Sequence, residues 1–336
     1  NMGHNDTTSW ELSLILSITN PLSTVIILAN LLIIIGIICN RKLHNTPNYF
    51  FLSLLVADVC TGIALPFIPS MSLERQMDFH TCLLLHTFPN FLFLSFLFNL
   101  VMVHYERYLC IVNPLQYGSF WAHRFFLLAL LAVWVPPLLY ASLPAFGWNN
   151  RAALNSSQEI EDCSYRNIFP HEFIYLEVYG LLIPAIFSII FMTVRVLWIA
   201  REKMRDICKL HRAVDRDQAS DKEHRMNVRY AKCVAAVSLT FLICWVPYII
   251  YVHVSLFSLS QGQVKVADST THIILSCTGI GSTAIIPVIL GLGNRQYTEP
   301  IRKVFERLRD RWQKRTPMTC TIYFLATQTN SSIVLS

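Results

Sequence analysis

Seven apolar stretches, near residues 12–39, 49–70, 82–105, 125–147, 172–199, 231–257 and 270–292, constrain this chain more than any other feature. Each is long enough to cross the roughly 30 Å hydrocarbon core of a bilayer as a helix. A chain of 336 residues has room for two soluble domains, but 54% hydrophobic and 14% charged residues argue against them. The expected fold class is an all-α membrane protein. A seven-transmembrane helix bundle occupies 12–293, after an extracellular N-terminus over 1–11.

Seven crossings put the two ends on opposite sides, and Lys and Arg decide which. With the N-terminus outside, Arg75, Arg151, Arg166 and Lys265 fall outside and the rest of the 27 basic residues fall inside. The net charge of +6 therefore reflects topology and attraction to the anionic inner leaflet, with no nucleic-acid partner implied. No basic stretch followed by a short apolar run and a cleavage site opens the chain, so the first span is expected to act as its own insertion signal. Glycosylation sequons at Asn5 and Asn155 lie on segments already assigned outside, whereas that at Asn330 lies inside.

Of ten cysteines, only Cys82 and Cys163 reach the outer face, where an oxidising compartment allows a bridge. Such a bridge pins the second outer loop over the third span and closes a loop long enough to be worth about 4–5 kcal/mol in the chain-entropy model. The alternative is two free outer thiols.

The interior of the spans carries a series of landmarks. Asn30 and Asp58 sit mid-membrane in the first and second spans, and Glu106-Arg107-Tyr108 closes the third, with Pro114-Leu115 beyond. Trp134, Pro184 and Cys244-Trp245-Val246-Pro247 mark the fourth to sixth. An arginine at a membrane boundary is costly unless it snorkels, pairs or meets a protein, and Glu106 stands beside it as a local acid. Each landmark alone reads as ordinary packing or a tolerated kink. In this order, one per span, they resemble the markers of rhodopsin-like G-protein-coupled receptors.

The seventh span departs from that pattern. Ile286-Pro287-Val288-Ile289-Leu290 keeps the proline but lacks the usual asparagine and tyrosine, and Phe96 replaces a usual serine near Asp58. Asp58 is thus a weak sodium candidate, left with Asn30 and Ser282, because a hard cation wants several oxygens. A protonated or water-bound Asp58 is the preferred reading.

Beyond the seventh span, Ile301, Val304, Phe305, Leu308 and Trp312 share one face between basic residues. This spacing predicts a short amphipathic eighth helix over 294–315, capped near Thr298 and lying in the inner interface. The segment 316–336 reads as an unstructured cytoplasmic tail, where Cys320 is a lone lipidation candidate. Met204, Ile207, Leu210 and Val214 recur at helical spacing, so the fifth and sixth helices are expected to extend into the cytosol. That charged face is either simply solvated or a protein-docking surface.

The resemblance also bears on function. Pro89 stands where amine receptors carry an aspartate, and no lysine lies in the seventh span for retinal. His86, His104, His253 and His272 are too scattered for a catalytic zinc site, so no enzyme is expected. Nor does any inverted repeat suggest a transporter. Within the rhodopsin-like receptors the chain is most similar to the bile acid receptors. The passages that carry this are Phe88-Pro89-Asn90-Phe91, Val103-His104-Tyr105-Glu106-Arg107-Tyr108, residues 141–149, residues 175–185, residues 206–214 and residues 291–298.

This resemblance implies a plasma-membrane receptor for a bile acid or bile alcohol, coupled to a stimulatory heterotrimeric G protein and cyclic AMP, with arrestin as a further partner and no cofactor. It assigns G-protein contact to Glu106, Arg107, Tyr108 and Leu115. An amphipathic sterol needs an apolar slot with a few placed polar groups. Asn90, Glu177, Tyr248 and Ser255 are its polar candidates, and Phe91, Phe93, Leu94 and Trp245 its apolar wall. Other readings remain: Asn90 can satisfy backbone freed by Pro89, and Tyr248 and Phe93 can be plain core. His86 stands where the related receptors have a pocket tyrosine, which introduces a group that titrates near neutrality. The alternative ligand class is another lipid or a purine.

Overall fold

Caps and prolines set the helix boundaries. The Asn45 side chain accepts from the Asn48 N–H ahead of Pro47, and Asp78 accepts from the His80 N–H. Both caps satisfy donors that the first helical turn leaves unpaired. The protein was analysed as a computed structural model, which describes residues 2–67, 77–113, 117, 123–151, 159, 160, 163, 165–211, 218–260, 269–293, 302, 303, 306, 307, 309 and 310. Leu115, Asn155, Thr298, Cys320 and the tail 316–336 lie outside these residues.

The helices are α1 (Met2–Cys39), α2 (Thr46–Ala64), α3 (Phe79–Val112) and α4 (His123–Ser142). Next, α5 runs through His171–Tyr175, Leu176–Leu182 and Ile183–His211, and α6 through Gln218–Ser260. Finally, α7 has two parts, Ser269–Ile280 and Ser282–Gly293. Among the described residues, seven helices are long and apolar enough to cross a membrane. The second span stops at Ala64, earlier than its apolar run predicts, because the chain turns at Leu65 and Pro66. The third continues through Glu106-Arg107-Tyr108 to Val112. The extension of α5 and α6 beyond their spans agrees with the spacing of Met204, Ile207 and Leu210.

α1 packs on α2, α5 on α6 and α6 on α7, α7 closes on α1, and α3 runs through the middle against α2, α4 and α5, while α4 meets α5 through Tyr140 and Phe173. Phe50, Phe51, Phe96, Phe241 and Trp245 fill the centre. Leu28, Ile35, Phe187, Phe191, Ile243 and Ile250 face outward, as an apolar exterior in contact with lipid requires.

Because lipid is as apolar as leucine, close backbone approach and hydrogen bonds must fix how the helices meet. The Asn30 amide donates to the carbonyl of Thr283 in α7 at 3.0 Å, and the Trp134 indole to Ser53 at 2.9 Å. Ser23 donates to the Gly62 carbonyl at 2.6 Å. His104 lies 2.9 Å from the Ser238 hydroxyl, itself 2.6 Å from Thr193, so one buried cluster joins α3, α5 and α6.

At the outer end a two-residue ladder pairs Met77 with Ile160 and Asp78 with Glu159, labelled β1 (Met77–Asp78) and β2 (Glu159–Ile160). Cys82 and Cys163 are disulfide-bonded, which resolves the two readings of the outer cysteines. At the inner end, residues 302, 303, 306, 307, 309 and 310 are helical, and Arg302 pairs with Glu306 at 2.8 Å, consistent with a short terminal helix.

Gly62 lets α1 approach α2 closely: a Cβ there would stand 2.9 Å from Ile26 Cγ2 and 3.0 Å from Ile27 Cγ1. These β-branched side chains yield little. Gly62→Ala is therefore expected to destabilise the protein by about 1–3 kcal/mol, read as a lower thermal midpoint in detergent.

Candidate functional site

Pro184 has no N–H to give to the carbonyl four residues back, and α5 answers with a wide π-helical turn over Leu176–Leu182. The Ile183 N–H reaches five residues back, to Val178. Glu177 stands at the start of this turn. Its Oε2 accepts from the Asn90 amide of α3 at 3.1 Å and from the hydroxyl of Tyr165 in the second outer loop. Asn90 thus serves a carboxylate across the helix interface, while its own Oδ1 is buried without a hydrogen-bond partner among the described residues. One turn earlier in α3, the Thr87 hydroxyl is likewise unpartnered. A carboxylate already holding two donors, beside an idle amide oxygen, is a polar end suited to hydroxyl groups.

Tyr165 was not singled out from the sequence. The available signal was its position two residues after Cys163, which the disulfide fixes against α3. Burial and the facing Glu177 carboxylate push the Tyr165 phenol well above its ordinary range, so it acts as a donor. His86 lies edge-on to Tyr165 with ring centres 6.0 Å apart, and its Nε2 is 3.4 Å from the Cys163 carbonyl. His86, Cys82 and Cys163 bring their ligand-type atoms together, but the disulfide removes both thiolates from metal binding.

The apolar wall lies one turn deeper. Phe93 packs against Trp245 at 4.7 Å, and Tyr248 lies edge-on to Trp245 at 5.8 Å. The Tyr248 hydroxyl is 3.4 Å from His272 Nε2, which brings α7 into the site. Leu94 is fully buried. Phe91 faces α4 instead, against Trp134 at 6.2 Å. Ser255 sits about two turns beyond Tyr248 on α6. The Trp245 indole donates to Ser282 at 3.2 Å.

Deeper still, both oxygens of buried Asp58 lack a hydrogen-bond partner among the described residues. The Asn30 Nδ2 donates to the Ile26 and Thr283 carbonyls while its Oδ1 has no hydrogen-bond partner among the described residues, and Ser282 Oγ accepts from Trp245. At the inner end, Glu106 is 1% exposed and pairs with Arg107 at 3.3 Å. Tyr117 donates to its other oxygen at 2.5 Å. Burial, together with the Glu106 charge, raises the Tyr117 phenol above its usual range. Tyr108 lies against Phe191 of α5 at 6.5 Å.

Residues 29–290 match the family model described as 7 transmembrane receptor (rhodopsin family). The chain belongs to this family. The receptor is 38% identical over 344 residues to the G-protein coupled bile acid receptor 1 of Rattus norvegicus, a match that covers the whole of both chains. With its Homo sapiens counterpart it shares 42% identity over 294 residues, 87% of this chain and 85% of the relative. A more distant relative, the adenosine receptor A2b of Bos taurus, is 27% identical over 300 residues, covering 85% and 87% of the two chains.

Two outcomes test this geometry. A Cβ at Gly279 would lie 2.8 Å from the Trp245 ring, so Gly279→Ala is expected to dislodge the indole and cost about 1–3 kcal/mol of stability, read as a lower thermal midpoint. Because Phe96 and Ile286 stand where the family carries oxygen ligands, Asp58 has too few oxygens around it for a hard cation, and NaCl is expected to raise the melting temperature no more than choline chloride does; a sodium-specific rise would contradict this.

Proposed function

We propose that the receptor recognises bile acids or related amphipathic sterols at the cell surface and activates a stimulatory G protein, raising cyclic AMP. The observation that carries this reading is the Asn90–Glu177 hydrogen bond beside the Phe93–Trp245–Tyr248 wall. A flat apolar steroid with a few hydroxyls matches such a lining. The names and extent of the relatives at 38% and 42% identity support the same ligand class.

In this reading Asn90, Glu177, Tyr248 and Ser255 meet the polar groups of the ligand. His86 sits at the mouth, and Phe93, Leu94 and Trp245 take the steroid body, with Phe91 supporting from the α4 side. Trp245 packs on Phe93, bonds to Ser282 and lies two residues before Pro247, so ligand contact there biases the position of α6. Outward movement of α6 would open the inner end, where Arg107 and Leu115 receive the G protein and arrestin competes. Release of Arg107 from Glu106 is the local step. The N-terminus is extracellular, with glycans on Asn5 and Asn155, and the tail is cytoplasmic.

A second reading, a purine ligand, rests on the adenosine receptor relative at 27% identity. Cyclic AMP is to be measured in cells expressing the receptor and dosed with bile acids, bile alcohols, lysophospholipids and nucleosides. A response to bile steroids is expected, with Glu177→Ala raising the EC50 by about tenfold or more through loss of a charge-assisted hydrogen bond. Silence to every steroid with a response to nucleosides or lysophospholipids would overturn the ligand class.

A further inference from the structure

Among the described residues, Tyr165 is the one group from outside the helix bundle that hydrogen-bonds the Glu177 carboxylate. Its position is prepaid by the fold. Cys163 is disulfide-bonded to Cys82, and residues Tyr165–Ile168 form a helical turn whose Ile168 and neighbouring Phe169 are fully buried. Phe169 lies edge-on to Tyr165 at 4.6 Å and stacks on Phe173 of α5 at 4.8 Å. Asn150 holds the same turn from the other side, through its N–H to the Ile168 carbonyl at 2.9 Å and its amide to the Phe169 carbonyl at 3.0 Å. The phenol is thus delivered by a braced loop, with little conformational entropy left to lose.

That donor shares Oε2 with Asn90, the atom through which the α5 carboxylate faces α3. A ligand hydroxyl arriving at this oxygen finds its two donors already in place. At Oε2 it competes with the phenol, since Asn90 is anchored in α3. We propose that Tyr165 is a tethered stand-in for a ligand hydroxyl, a specificity-determining residue that makes hydroxyl-bearing ligands compete with the receptor's own loop for Glu177. This inference rests on the reading of Asn90 and Glu177 as the polar end of the ligand pocket.

The consequence is selective. A ligand that offers Glu177 a hydroxyl gains less than its hydrogen bond is worth, because a protein bond of the same kind is lost. A ligand without a ring hydroxyl leaves the Tyr165 bond intact and is not penalised. Removing the phenol oxygen therefore favours the first ligand and leaves the second unchanged. A merely structural role for Tyr165 predicts instead an equal effect on both.

The test compares lithocholate and cholate, which carry ring hydroxyls, with 5β-cholanate, which carries none. Competition binding and cyclic AMP are to be measured on the full-length receptor and on Tyr165→Phe. Phenylalanine keeps both ring contacts, so surface expression is expected to hold. Tyr165→Leu is the second variant, and must move potency in the same direction. The expected result is a fall of about tenfold in EC50 for at least one hydroxylated acid, the size of a lost competing hydrogen bond to a charged group, with no shift for 5β-cholanate. An equal shift for all three acids, a rise for the hydroxylated ones, or no change overturns the proposal. Glu177→Gln separates the two levels of failure. If it alters potency while Tyr165→Phe does not, only this inference fails. If it too leaves every acid unchanged, or the unmodified receptor ignores all three, the pocket reading fails as well.

Discussion

Within a bilayer no water is available to an unpaired peptide group, so each crossing segment must close its backbone hydrogen bonds within itself. The rest of this structure follows from that constraint. It makes the seven segments helices and leaves the hydrophobic effect with little to say about how they pair. The choice falls to a few short-range contacts: Gly62 against Ile26, Asn30 to the Thr283 carbonyl, Trp134 to Ser53, and the His104–Ser238–Thr193 cluster. Each of these polar groups is worth more as a partner than as an orphan, because a buried donor or acceptor without one carries its full desolvation cost.

The same constraint explains why the site lies where it does. Proline inside a membrane helix leaves a carbonyl without its donor, and the chain must adjust around it. Pro184 does so through the π-helical turn that presents Glu177, and Pro89 lies next to Asn90. One partner of the hydrogen bond across the α3–α5 interface thus stands beside a proline within α3, and the other at the start of the π-helical turn in α5. Above them, the Cys82–Cys163 bridge does for the second outer loop what the bilayer does for the helices, since it removes the freedom that would otherwise leave Tyr165 mobile. The carboxylate is a meeting point of two helices and a loop, held by donors from each neighbour.

The inner end follows a different logic. Glu106 and Arg107 pair with each other and Tyr117 closes over the acid, so charges that are costly near lipid are neutralised locally. A docking partner that displaces this pair has to supply replacement contacts for the guanidinium.

Much of this was legible from the chain. Length and polarity of the apolar runs fixed the number of helices, because a bilayer of given thickness asks for a given length. Basic residues implied an orientation, and the position of two cysteines at one face anticipated their bridge. The family resemblance picked out Asn90, Phe93, Glu177, Trp245 and Tyr248 one at a time, and Glu177 stands out besides because a carboxylate at membrane depth is costly. Only the tertiary structure decided which of them meet. It turned Phe91 toward Trp134, took Asn90 to Glu177 and not to the backbone near Pro89, and brought in Tyr165 and His272. Helix rotation and loop path depend on contacts between residues far apart in sequence, and a periodicity within one segment holds no information about the face its neighbour will present.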